Sequence, residues 1–258
     1  MGFSMMRVAL NAGAALAPLI AAALILVDWN LLLWVDAATA LAYAALARAL
    51  LPAGHTPAAE ATDEDPARAG SGVLVRDRRY LLFLASVLLG TVIYIQYTVA
   101  LPLSLRASGH PAALYSIVLA TTSLVLITCE LKITASVKGR PPHLIGAVGT
   151  AIMGLGLAGY GLATGSSAVI VLSTIVFVCG LMINGPTMFA HPSKFPAAVK
   201  ARYIGAHQFT FGLGLALGPI VGVLAYKALA NGVWVLCGAL GTVAALCALT
   251  GMRTSPTA

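Results

Sequence analysis

Eight stretches of mostly apolar residues, each close to twenty residues long, follow one another along the chain at approximately 8–27, 31–51, 79–101, 112–134, 142–164, 167–189, 204–226 and 231–250. A helix needs about 20 apolar residues to cross the roughly 30 Å of bilayer hydrocarbon. Inside hydrocarbon the backbone must satisfy its own hydrogen bonds, which an α-helix does within one segment. The pattern therefore predicts an all-α membrane protein of about eight transmembrane helices. Charged residues make up only 9% of the 258 residues and hydrophobic ones 60%, whereas a water-soluble chain carries about a quarter charged residues. The first stretch follows a short basic start of the kind that precedes a signal peptide. It is read as a spanning helix because it is too long, is interrupted by Asn11 and Pro18, and is followed almost at once by another apolar stretch. The division between the fifth and sixth stretches, at Thr164 to Ser166, is the least sharply drawn.

A net charge of +7 would suit a nucleic-acid partner if the basic residues formed one face. They follow membrane sidedness instead. With both termini inside, the inner side receives thirteen, Arg7, Arg48, Arg68, Arg76, Arg78, Arg79, Lys132, Lys138, Arg140, Lys194, Lys200, Arg202 and Arg253, and the outer side two, Arg106 and Lys227. Short cytoplasmic loops collect Lys and Arg in this way. The expectation is a multi-pass protein of the cell (plasma) membrane with both termini cytoplasmic, whose partner is the lipid bilayer and not a nucleic acid. Trp29, Trp34 and Trp234 fall near the outer boundary, where amphipathic rings favour the headgroup region. Cys129, Cys179, Cys237 and Cys247 lie inside apolar runs without metal-ligand spacing, and His55, His110, His143, His191 and His207 are scattered. No metal site, cofactor or disulfide framework is expected. With no phosphate-cradling loop and no nucleophile beside a base, the chain reads as neither an enzyme nor an ATP-driven pump.

One connection is long. From Leu51 to Arg79 the chain runs through Pro, Ala, Gly and acidic residues, a composition that cannot bury a core and reads as a flexible linker. It divides the chain into two helices (1–51), a cytoplasmic linker (52–78) and six helices (79–252). The seventh stretch carries Gly214-x3-Gly218-Pro219-x2-Gly222, and the first echoes it with Gly13-x3-Ala17-Pro18-x2-Ala21. Residues three and four apart share a helix face. Small residues there let a neighbouring backbone approach, while proline removes an N–H and weakens the turn. Gly13, Pro18, Gly214, Gly218, Pro219 and Gly222 are therefore expected at helix-packing or hinge positions, and static packing and bending account for the pattern equally. If the six-helix block is one repeat, the two helices before the linker are the fifth and sixth of a preceding one.

At this point the chain resembles the major facilitator superfamily, with two six-helix halves joined by a long cytoplasmic loop. The first stretch is similar to the fifth helix of the drug-antiporter branch, with Gly13 and Pro18 in place but Ala17 and Ala21 where that branch has glycine. LLLWVDAATALAYAALARALLP is similar to the sixth helix. TVIYIQYTVALPLSLRASGHPAALYSIVLATTSLVLI resembles the seventh and eighth, through Tyr94, Gln96, Tyr97 and Leu101-Pro102-Leu103. VKGRPPHLIGAVG, with Gly139 and Arg140, sits where the superfamily repeats a weak basic loop motif, and INGPTMFAHPSKFPAAVKARYIGAHQFTFGLGLALGPIVG resembles the tenth-to-eleventh helix passage. The chain thus matches helices 5–12 of that fold. Helices one to four, with the most diagnostic loop motif, have no counterpart, and Met1 is open to three readings: an internal start, a truncated gene or the start of a fragment.

The resemblance implies a secondary active transporter of the bacterial exporter type, truncated, that moves small molecules or drugs against protons and holds its substrate at mid-membrane between two rocking halves. The alternative is a non-transporting membrane remnant, or a half-domain that needs a partner. In the leading reading the third, sixth and seventh stretches face the substrate cavity, which makes Tyr94, Gln96, Tyr97, Asn184, His207 and Gln208 its candidates, Tyr94 and Tyr97 favoured by their spacing. Their polar groups need partners in hydrocarbon; plain interhelical hydrogen bonding would supply them as well. Glu130 is the proton-coupling candidate, since an intramembrane acid is functional by default, although it stands close to the inner boundary beside Lys132. Asp36, near the outer end of its stretch, reads as a structural carboxylate favoured by a helix N-terminus.

Overall fold

The computed structural model describes residues 27–50, 72–111, 113–163 and 165–253, together with positions 13, 20 and 24, and only the backbone at Gly72, Val73 and Leu131. The chain divides into two units, Met1–Glu64 and Asp65–Ala258. Most of the first apolar stretch, Pro18 included, and residues 51–71 of the connection lie outside the described residues. Gly13 is helical, with open space where a Cβ would stand.

In the first unit, helix α1 runs Trp29–Leu50. Asp28 closes its start, its Oδ1 accepting the backbone N–H of Asn30 at 2.9 Å and the Asn30 amide at 3.2 Å. A carboxylate at this position satisfies a backbone donor that the helix leaves open. The terminal role expected of Asp36 thus belongs to Asp28. Asp36 is exposed and lies about two turns further on, where its backbone carbonyl accepts the Thr39 hydroxyl at 2.9 Å.

The second unit contains a short helix α2 (Gly72–Arg76), then α3 (Arg78–Ala107), α4 (Ala113–Val137), α5 (Pro142–Gly159), α6 (Ser167–Ala190), α7 (Ala197–Leu229) and α8 (Gly232–Gly251). Single 3-10 turns extend α5 through Tyr160–Leu162 and α6 through His191–Lys194. Among the described residues seven helices, α1 and α3 to α8, are long and apolar enough to cross a membrane. The fifth and sixth stretches part at a turn in which Gly165 adopts φ +91°, a left-handed conformation that glycine enters without steric cost. Two helices outrun their apolar stretches. α3 continues through Pro102 to Ala107. α7 has 33 residues, about 50 Å at 1.5 Å per residue, so its ends reach beyond the hydrocarbon.

Short connections alternate the helix directions, and side-chain contacts fix the register. α3 and α7 run parallel: Tyr80 meets Tyr203 at one end, Thr91 meets Gly214 midway, and the Tyr226 hydroxyl donates to the Leu103 carbonyl at 3.3 Å at the other. α3 and α8 run antiparallel, with Phe83 against Gly251 and Ser104 against Trp234. α5 packs between α6 and α8 through small residues. A methyl group on Gly149 would lie 2.9 Å from Asn184 Cα, and one on Gly154 2.9 Å from Gly241 Cα. Apolar lipid offers little drive for apolar side chains to associate, so such close backbone approach is what holds membrane helices together. Leu124 and Ile127 on α4 and Leu155 on α5 remain exposed, as a lipid-facing surface requires.

Buried side chains form two clusters. One gathers around Trp234, Tyr160, Phe177, Leu101 and Ile93. The other gathers around Tyr80, Phe83, Met188, Tyr203 and Met252. Trp234 corrects the headgroup-belt expectation: it is fully buried, edge-on to Tyr160 with centroids 5.0 Å apart, and its Nε1 donates to Ser104 Oγ at 3.3 Å. An indole in a packed core needs such an acceptor for its N–H. Cys237 packs in the same cluster, and Cys129, Cys179, Cys237 and Cys247 are free thiols.

The Tyr80 end of α3 is tied to α7 by a network that begins at the cap. Asp77 Oδ1 accepts the Tyr80 N–H at 3.0 Å, Asp77 Oδ2 accepts the Tyr203 hydroxyl at 3.1 Å, and the Tyr80 hydroxyl donates to the Tyr203 carbonyl. Asp77→Ala removes cap and acceptor together and is expected to cost about 1–3 kcal/mol, against about 0.5–1.5 kcal/mol for Tyr203→Phe, which leaves the cap intact. Thermal unfolding of the two variants in detergent tests the order; an equal loss would mean that the cap contributes nothing.

Candidate functional site: a cleft between α3, α5, α6 and α7

The two buried clusters leave a gap between them along α3. Ser86, Val87, Gly90, Thr91 and Tyr94 line it from α3, and Met153 from α5. Leu181, Asn184, Gly185, Met188 and Phe189 line it from α6, and His207 and Phe211 from α7. The cleft has a volume of about 240 Å³. Glycines shape it on two sides, because neither Gly90 nor Gly185 places a side chain in the opening.

Each polar group reaches the cleft for a local reason. Asn184 stands one helical step before Gly185-Pro186 in α6, and its Nδ2 donates to Thr150 Oγ1 on α5 at 2.9 Å. The Thr150 hydroxyl in turn donates to the Gly146 carbonyl at 2.7 Å. Asn184 is thereby fixed in orientation with its Oδ1 unspent in that pair. His207 is almost fully buried on α7, stacked on Phe83 with centroids 5.7 Å apart and planes at 16°, and edge-on to Phe189 at 5.1 Å. Phe83 also meets His191 at 4.7 Å, so His207 joins the cleft to a run of contacting rings outside it that ends at Phe195 and Tyr203, stacked 3.9 Å apart. Thr91 spends its hydroxyl on the Val87 carbonyl at 2.8 Å. Ser86 is fully buried and its Oγ has no hydrogen-bond partner.

Of the six residues that the sequence nominates for a cavity, Tyr94, Asn184 and His207 come together in this cleft. The other three point elsewhere. Gln96 is buried in the α3–α7 seam, its Nε2 donating to the Val92 carbonyl at 2.7 Å and the Gly218 carbonyl at 3.0 Å. Tyr97 stacks on Phe177 at 5.2 Å within the Trp234 cluster and donates its hydroxyl to Thr122 Oγ1 at 2.9 Å. Gln208 is exposed. Tyr94 and Tyr97 both stack on Phe177, as their spacing allows, but of the two only Tyr94 also lines the cleft. Glu130 is half-buried on α4 and is not among the residues that line the cleft.

Gly214, Gly218 and Gly222 form a continuous seam against Thr91, Ile95 and Gln96 of α3, and α7 stays helical through Pro219. Sequence reasoning passed over Ser86, Thr91, Met153, Phe189 and Phe211. The available signal was Ser86 itself, a hydroxyl inside an apolar stretch; for the apolar residues no signal separates a cleft wall from a core.

No curated protein sequence matches the chain. A family profile, that of the Major Facilitator Superfamily, matches residues 1–219. Every residue that lines the cleft falls inside that matched region, and so does all of α7 up to Pro219. With most of its length matched and its described helices suited to crossing a membrane, the chain belongs to the Major Facilitator Superfamily, a family of transporters.

Proposed function

We propose that the chain is a proton-coupled exporter of small molecules or drugs, and that the cleft between α3, α5, α6 and α7 is the substrate wall contributed by the second half of the transporter. The observation that supports this is the cleft: a hollow lined by four helices, with Tyr94, Asn184 and His207 converging on it between two packed clusters. A solute crossing by alternating access needs such a hollow near mid-membrane. In this reading α3 to α8 correspond to helices seven to twelve of the superfamily, and α1 to the sixth. The ends that carry Arg79 and Arg253 meet, Arg79 Nη1 donating to the Arg253 carbonyl at 3.4 Å. The excess of Lys and Arg on that side supports reading it as the cytoplasmic face.

Two titratable groups carry the coupling in this proposal, Glu130 on α4 and His207 in the cleft, with Tyr94 on the same cleft wall and His191 in ring contact with Phe83. Everted vesicles that contain the full chain, energised to an acidic interior, provide the test. An exported substrate should release part of the proton gradient when added, and a panel of apolar aromatic compounds that never does so sinks the transport reading. His207→Gln is expected to abolish substrate-dependent proton release while substrate binding persists within about tenfold. Glu130→Gln showing the same loss would move the coupling site to α4.

A further inference from the structure

We infer that this cleft takes an uncharged, ring-bearing molecule with a hydrogen-bond acceptor, and that Ser86 is the residue that reads the acceptor. The inference rests on the substrate reading of the cleft given above. Among the described residues that line it there is no Asp, Glu, Lys or Arg. A charge entering an apolar hollow without a counter-charge loses its hydration for no return, so this wall disfavours permanent ions. Tyr94, Phe189 and Phe211 offer ring faces and edges, and Met153 and Met188 offer polarizable sulfur. Both kinds of group favour an aromatic guest.

The specific element is Ser86. A hydroxyl in the middle of a membrane helix ordinarily donates to the carbonyl one turn back. Thr91, Thr150 and Thr210 all do so, to Val87, Gly146 and Ala206 at 2.8, 2.7 and 2.8 Å. Ser86 does not, although it is fully buried and lines the cleft. An unmade hydrogen bond at a buried hydroxyl is costly, and a guest that supplies a carbonyl or ether oxygen would recover it. Asn184 Nδ2 and Thr91 Oγ1 are already engaged, on Thr150 and Val87, and the Tyr94 hydroxyl and the His207 ring are further donors on the wall that stay the same when position 86 is changed. Ser86 thus separates guests that carry an acceptor from hydrocarbons of the same shape.

Gly185 provides a reporter, because it borders the cleft and has open space where a Cβ would stand. In the full-length chain with Gly185→Cys, held in lipid nanodiscs, methyl methanethiosulfonate should modify the new thiol, followed by mass spectrometry at position 185. Three naphthalenes of similar shape then serve as guests: 2-acetylnaphthalene, 2-ethylnaphthalene and (2-naphthylmethyl)trimethylammonium. The acetyl compound should slow modification at concentrations about 2- to 10-fold lower than the ethyl compound, the value of one neutral hydrogen bond. Ser86→Ala should erase that difference while protection by the ethyl compound persists, and the cation should not protect. Equal protection by the acetyl and ethyl compounds with Ser86 in place, a comparison that needs no variant at 86, overturns the role of Ser86. Protection by the cation overturns the ligand class. A thiol at position 185 that never reacts would instead remove the cleft as an accessible site, and with it the substrate reading on which the inference stands.

Discussion

Gly218→Val is expected to drive α3 and α7 apart and to leave little correctly folded protein, whereas Gly212→Val on the same helix should be nearly silent. A Cβ at position 218 would fall on Cγ2 of Ile95 and within 3.1 Å of Ile95 Cβ, the branched root of that side chain and not a flexible tip. At 212 it would meet nothing within 4 Å. Both substitutions change helix propensity alike, so their difference reports packing alone. Overpacking a close-fitting site costs about 1–3 kcal/mol, and here the neighbouring glycines hold the seam on either side, Gly214 against Thr91 and Gly222 against Gln96. Separating the helices would also break the bond from Gln96 Nε2 to the Gly218 carbonyl. Fluorescence-detected size exclusion and thermal unfolding in detergent measure the outcome, and Ile95→Ala should rescue Gly218→Val in part. Equal stability of the 212 and 218 variants would show that the seam is looser than its geometry. A stable Gly218→Val chain could still have lost transport, which would recast the seam as a moving surface.

The seam shows what a membrane sequence discloses. Glycines at intervals of four can only mean a smooth helix face, so Gly214, Gly218 and Gly222 were readable as a contact before any partner was known. Its partner was not readable, because Thr91, Ile95 and Gln96 carry no mark that distinguishes a seam from a cavity wall. The same limit explains the six nominated polar residues. A Tyr, Gln or Asn inside hydrocarbon must find hydrogen bonds, yet sequence does not say whether water, a ligand or the next helix provides them. Tyr97 found Thr122, Gln96 found the Gly218 carbonyl, and Asn184 found Thr150 and the cleft together. The terminal carboxylate of α1 is Asp28 and not Asp36 for a simpler reason: the helix begins at Trp29, ahead of the apolar stretch at 31, which leaves Asp36 well inside it.

Trp234→Ala should be the most damaging single truncation in the six-helix unit. The side chain is 0% exposed, sits beneath Gly161 of α5 and donates to Ser104 of α3, so three helices lose a shared filler at once. Truncating a buried aromatic costs about 3–5 kcal/mol, through lost apolar transfer and the cavity that remains. Trp234→Phe separates the contributions: it keeps most of the ring volume against Tyr160, drops the N–H donor, and should cost nearer 1 kcal/mol for the hydrogen bond and the smaller ring. Trp34, 72% exposed on α1 among the described residues, is the matched control. Thermal unfolding of the three variants in one detergent distinguishes two physical roles for tryptophan near a helix end. An interfacial ring anchors depth in the bilayer, and its loss should hardly move the midpoint in detergent. A core ring holds helices together, and its loss should lower the midpoint steeply. A Trp234→Ala chain that unfolds within a degree or two of the Trp34→Ala chain would return Trp234 to the headgroup belt and with it the packing of α3, α5 and α8 to question.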